Sequence, residues 1–118
     1  VSADVDMGEY MIKNFEAMAC GCVLLAFDQG AEENRALGFV DMHNIVLYRD
    51  IPELREKLAK LRDNVTLASE ISRNGQTLVE ERFTFHALGK AIVDAMHAPL
   101  RSMPAASWID RLRSRLGW

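Results

Sequence analysis

Residues 8–16 hold a glycine loop, a lysine and a glutamate about a predicted helix start, residue types that can meet charged or polar groups. Over residues 9–20, Tyr10, Met11, Phe15, Met18 and Ala19 recur at spacings of three and four, which predicts a helix. Lys13 and Glu16 lie three residues apart within it, so they share nearly one face. A helix start offers unpaired N–H groups and a partial positive charge, a cradle for an anion. Just before this one comes the loop Asp6-Met7-Gly8-Glu9-Tyr10, where Gly8 permits close backbone approach. Lys13 would add positive charge there, and the Glu16 carboxylate can accept hydrogen bonds from two hydroxyls at once. On spacing alone the plainer reading is an exposed ion pair worth ~0.3 kcal/mol.

Other chemistry-bearing residues are less organised. Cys20 and Cys22 form a Cys-x-Cys pair, but no second cysteine pair exists and His43, His86 and His97 are scattered. The expectation is two small buried hydrophobes, reduced as suits the cytoplasm, and no metal site. The loop Asp28-Gln29-Gly30 follows a predicted strand and either faces a ligand cleft or is a plain turn.

The elements that must position these residues follow in order. Gly21 stops the first helix. Residues 22–27, Cys-Val-Leu-Leu-Ala-Phe, read as a strand buried on both faces. Residues 32–37 make a short helix ended by Gly38, and 45–48 a second strand. Asp50-Ile51-Pro52-Glu53 opens a helix to about Arg62, with Asp50 as cap and Pro52 in the first turn. A further helix covers about 66–82, where Gly75 implies a kink or close packing. Thr84 caps another, whose Leu88, Ile92, Val93 and Met96 are expected to face inward. Pro99 and Pro104 mark a linker, and residues 105–116 a last amphipathic helix with Trp108, Ile109, Leu112 and Leu116 on one side.

This order is half of a doubly wound α/β domain. Two firm strands are few for a sheet. Residues 1–5 are expected to end a third strand, and the rest to lie upstream of Val1, as in a piece of a longer chain.

Composition narrows the classes. The chain has 118 residues, 49% of them hydrophobic and 26% charged, which is globular composition. No apolar run reaches the ~20 residues of a membrane-spanning helix. The first residues carry Asp4, Asp6 and Glu9 where a signal peptide would be basic and then apolar. The net charge of −3 argues against a nucleic-acid binder. Residues 1–98 carry 10 basic and 16 acidic side chains, whereas 99–118 hold Arg101, Arg111, Arg113 and Arg115 against Asp110. That basic, apolar-faced tail suits a solvated face, docking on a partner domain, or contact with an anionic membrane surface.

Residues 13–28, with Glu-Ala-Met-Ala-Cys-Gly ahead of an apolar strand, resemble the C-terminal donor-binding domain of GT-B glycosyltransferases. The likeness continues through Asn44 with Asp50-Ile51-Pro52-Glu53-Leu54, then Arg73-Asn74-Gly75 and Phe83-Thr84-Phe85, covering roughly residues 5–97. It implies an α/β, Rossmann-like parallel sheet flanked by helices, the C-terminal half of a GT-B fold. Residues 1–98 would bind a nucleotide-sugar donor, and 99–118 would be linker and terminal helix, which in that fold commonly crosses back to the other domain. Lys13 would meet the donor's phosphates as the catalytic residue, and Glu16 its ribose hydroxyls. Gly8, Glu9 and Tyr10 would line the donor site. The pattern departs at Gly8, where many members carry a glutamate, and Glu9 falls one residue late. Transfer would be retaining and metal-independent, with no cofactor beyond the donor substrate. The partner would be an N-terminal acceptor-binding domain of the same chain. The setting would be the cytoplasm of a bacterium, at the inner membrane face if the tail binds lipid. The rival is a non-catalytic α/β module whose tail helix binds a protein or membrane.

Overall fold

The computed structural model describes residues 1–2 and 8–99. Among these, five helices and two strands follow in the order α1 (Ile12–Ala19), β1 (Leu25–Phe27), α2 (Ala31–Leu37), β2 (Val46–Tyr48), α3 (Ile51–Asp63), α4 (Val65–Arg82) and α5 (Phe85–His97). The fold is therefore α/β, and its sheet is parallel: Leu25, Ala26 and Phe27 pair with Val46, Leu47 and Tyr48.

Both faces of the sheet are covered, as the unbroken apolar runs require. Side chains alternate along each strand. Leu24, Ala26, Ile45 and Leu47 pack with Tyr10, Met18, Phe39 and Val79. Leu25 and Val46 point the other way, onto Leu61 and Ile71. The Ser2 N–H donates to the Leu25 carbonyl at 2.7 Å. The Leu24 carbonyl accepts from Val46, so the Leu25 carbonyl faces the opposite edge of β1, where a further strand would lie. Residues 3–5 of the strand expected there fall outside the described residues, as do 100–118 with the expected tail helix.

Local chemistry explains the boundaries. Asp50 Oδ1 accepts from the Glu53 N–H at 2.8 Å, and Glu53 Oε2 accepts from the Arg49 N–H at 2.9 Å, a reciprocal cap at the start of α3. Arg82 donates to the carbonyls of Ala36 and Leu37 at the end of α2, tying α4 to that helix. Inside α4, Gly75 faces Asn44: a Cβ there would stand 2.7 Å from the Asn44 carbonyl oxygen. The glycine expected to mark close packing does so.

Two expectations are corrected. Cys20 and Cys22 are both exposed free thiols rather than core residues. The tight turn at Gly21, with φ of +73°, swings them to the surface before the strand begins. That turn is clamped by Ser72 Oγ, which donates to the Gly21 carbonyl, and by Gln76, which donates to that of Ala19. The apolar face of α5 also points outward: Phe85 is 97% exposed, Ile92 62% and Met96 78%. Periodicity identified that face correctly, but no described element covers it.

Candidate functional site

In a parallel α/β sheet ligands bind beyond the carboxyl ends of the strands. Here that edge gathers the turn 28–30 after β1, the turn 49–50 after β2, and the loop 8–11 that leads into α1. The starts of α1, α2 and α3 therefore converge on it. α3 is capped by the Asp50 carboxylate, but Met11 at the N-cap of α1 brings no hydrogen-bonding side chain and the first turn carries no acid.

The loop before α1 is tied to the turn after β1. The Gly8 N–H, in a residue with φ of +73°, donates to Gln29 Oε1 at 2.9 Å. The Tyr10 hydroxyl donates to Asn34 Oδ1 at 2.6 Å and accepts from the Gln29 N–H at 3.4 Å. Asn34 Nδ2 in turn donates to Asp28 Oδ1 at 2.7 Å, and the same oxygen accepts from the Gly30 N–H at 3.0 Å. Burial pushes the Tyr10 phenol up to about 12, against the lowering effect of the Gln29 N–H and helped by the charges of Asp28 and Glu33.

The sequence-named residues thus take different positions. Gly8 and Glu9 are exposed on the loop, and Lys13 is exposed in the first turn of α1. Tyr10 is only 8% exposed: its ring meets Phe39 edge-on at 4.9 Å, and its hydroxyl is held in the network just described. Glu16 lies at the wall of an open groove of about 620 Å³, lined chiefly by Tyr10, Ile12, Phe15, Phe83 and Leu88. The groove couples one carboxylate to an apolar floor. Among the described residues no three His, Cys, Asp or Glu side chains gather to hold a metal ion. No described helix is long and apolar enough to cross a membrane.

Sequence reasoning missed Asn34 and left Gln29 undecided. Neither announces its link to the loop before α1, because Tyr10 and Gly8 lie 24 and 21 positions away. The one available signal was position: a polar cluster directly after a buried parallel strand.

No curated protein and no solved structure matches the chain. A family described as glycosyl transferase-like matches residues 2–94. That span takes in both strands, the loop before α1, the turn after β1 and the Glu-Ala-Met-Ala-Cys-Gly helix. With most of the sequence matched and the expected α/β sheet in place, the chain belongs to the glycosyl transferase-like family.

Proposed function

We propose that the chain is the nucleotide-sugar-binding part of a GT-B glycosyltransferase. An acceptor hydroxyl takes the sugar at its anomeric carbon as the bond to the donor's diphosphate breaks. Lys13 and the N–H groups at the start of α1 meet the charge that grows on the leaving diphosphate, which is where such groups act most strongly. This lets the reaction run without a metal ion. Glu16 accepts from the ribose hydroxyls, and Gly8, Glu9 and Tyr10 border the donor. Retention at the anomeric carbon belongs to the same reading. The acceptor is held by an N-terminal domain of the same longer chain, and the enzyme works in the bacterial cytoplasm, at the membrane face if its tail binds lipid.

The observation that carries this reading is the family membership together with the place of the Lys13 helix. Its start lies beside the turn that follows β1, where parallel sheets take ligands. The apolar face of α5 that no described element covers supports a second domain, since such a face is costly in water. It equally suits the rival, an interaction module with no transfer activity. Calorimetric titration with UDP and GDP separates the two. A transferase binds one of them, and loses it in Lys13→Ala and Glu16→Ala while melting unchanged; an interaction module binds neither.

A further inference from the structure

We propose that Tyr10 and Asn34 are positioning residues that hold the donor-facing loop in register with the sheet, an inference that rests on the nucleotide-sugar reading above. The argument starts from Asp28. An ionised carboxylate can only accept hydrogen bonds. Asp28 Oδ1 therefore turns the Asn34 carboxamide so that its Nδ2 faces the carboxylate at 2.7 Å. The Asn34 oxygen is left facing Tyr10, so Tyr10 must donate, which it does at 2.6 Å. The phenol's lone pairs then remain for the Gln29 N–H. The Asp28 carboxylate thus fixes the direction of both side-chain bonds in the chain. Chains of this kind strengthen each bond over its isolated value.

The network joins the lead-in to α1 to two pieces that follow β1 in the chain: the turn 28–30 and α2. The Tyr10 ring is held independently. It stands edge-on to Phe39, and Phe39 stacks on Phe15 of α1 at 5.8 Å. Moving the phenol therefore moves the start of α1, with Lys13 and Glu16 on it. The elevated phenol keeps its proton through the neutral range, so the donor bond to Asn34 is not lost on ordinary changes of pH. Tyr10 thereby acts on the donor through the loop it anchors rather than through its own hydroxyl.

The test compares Tyr10→Phe and Asn34→Ala with Ile71→Val in the full chain. Phe keeps the ring packing and removes only the hydroxyl. Ile71 is 1% exposed on the opposite face of the sheet, so its truncation reports plain destabilisation. Two readouts are taken: the Kd for UDP and GDP set against the melting temperature, and amide exchange over residues 8–11 and 28–30. The expected result is a Kd raised about three- to tenfold in both variants, since Tyr10→Phe removes the bonds to Asn34 and Gln29 and Asn34→Ala those to Tyr10 and Asp28. Exchange quickens in both loops, and Ile71→Val lowers melting with Kd and loop exchange unchanged. Unchanged loop exchange, or a rise in Kd that Ile71→Val matches at equal loss of melting temperature, overturns the proposal. If the wild-type chain binds neither nucleotide, the donor reading fails. Faster loop exchange in the two variants would then still uphold the anchoring, and unchanged exchange would overturn it.

Discussion

The Tyr10 hydroxyl and the Asn34 carboxamide meet at 2.6 Å across 24 positions of sequence, and through them the loop before α1 is bonded to the helix after β1. A short loop with a glycine and a glutamate would otherwise have many conformations. Here its backbone is tethered at Gly8 and its side chain at Tyr10, both to the same turn. The helix start that follows inherits that order.

Gly75→Ala tests the packing of α4 on the sheet. The added methyl would stand 2.7 Å from the Asn44 carbonyl oxygen and 3.3 Å from Met18 Cε. Overpacking costs about 1–3 kcal/mol, against about 1 kcal/mol gained from helix propensity. A net loss of up to about 2 kcal/mol in urea unfolding is expected, and a stabilised variant would contradict the contact.

The Asp41–Lys57–Glu53 cluster sets a pH dependence. Lys57 Nζ donates to Asp41 Oδ2 at 2.7 Å, to Glu53 Oε1 at 2.9 Å and to the Leu47 carbonyl at 2.6 Å. The hydrogen bond from Lys57, and then the Arg49 N–H, hold Glu53 below its ordinary 4.5. The unfolded chain therefore takes up the proton first, so this stability is present above about pH 4.5 and lost as pH falls through the lower folded value. Burial pulls Lys57 down, but its bonds to Asp41 and Glu53 outweigh that and leave it raised above 10.5. Its contribution is complete below 10.5 and lost as pH rises through the folded value. Glu53→Gln should flatten the acid limb of a stability profile; an unaltered acid limb would contradict this account.

Both cysteines should titrate with a disulfide reagent in the native chain, without denaturant, because both thiols are exposed. Two thiols released per chain at one fast rate are expected. Thiols that react only after unfolding would restore the buried reading.

Paired substitution of Ile92 and Met96 by Gln tests the face of α5 that no described element covers. Surface changes away from packed contacts stay within about 0.5 kcal/mol. Unfolding should therefore be unchanged, while binding of an apolar dye falls. A large loss of stability would mean that something covers this face in solution.

What the sequence disclosed follows from how local each signal is. Asp50, Pro52 and Glu53 act within one turn, and the predicted cap is present. Gly38 ends α2 in the left-handed conformation at φ of +78°, again a local matter. Strand limits were less legible: the run 22–27 narrows to Leu25–Phe27, since apolar character continues through the turn that precedes the ladder. The α5 face shows the limit of periodicity, which says which side is apolar but not what meets it. At the candidate site, the helix that carries Lys13 and Glu16 was legible from its apolar spacing. The bonds of Tyr10 to Asn34 and of Gly8 to Gln29 depend on the start of α1 meeting the turn after β1, and nothing in the local sequence announces them.

The most direct test of the central claim is calorimetric titration of UDP and GDP into the full chain and its Glu16→Ala variant. The account predicts that one nucleotide binds the wild type, and that Glu16→Ala weakens it about tenfold or more at unchanged melting temperature. No binding of either nucleotide at millimolar concentration, or undiminished binding by Glu16→Ala, would contradict it.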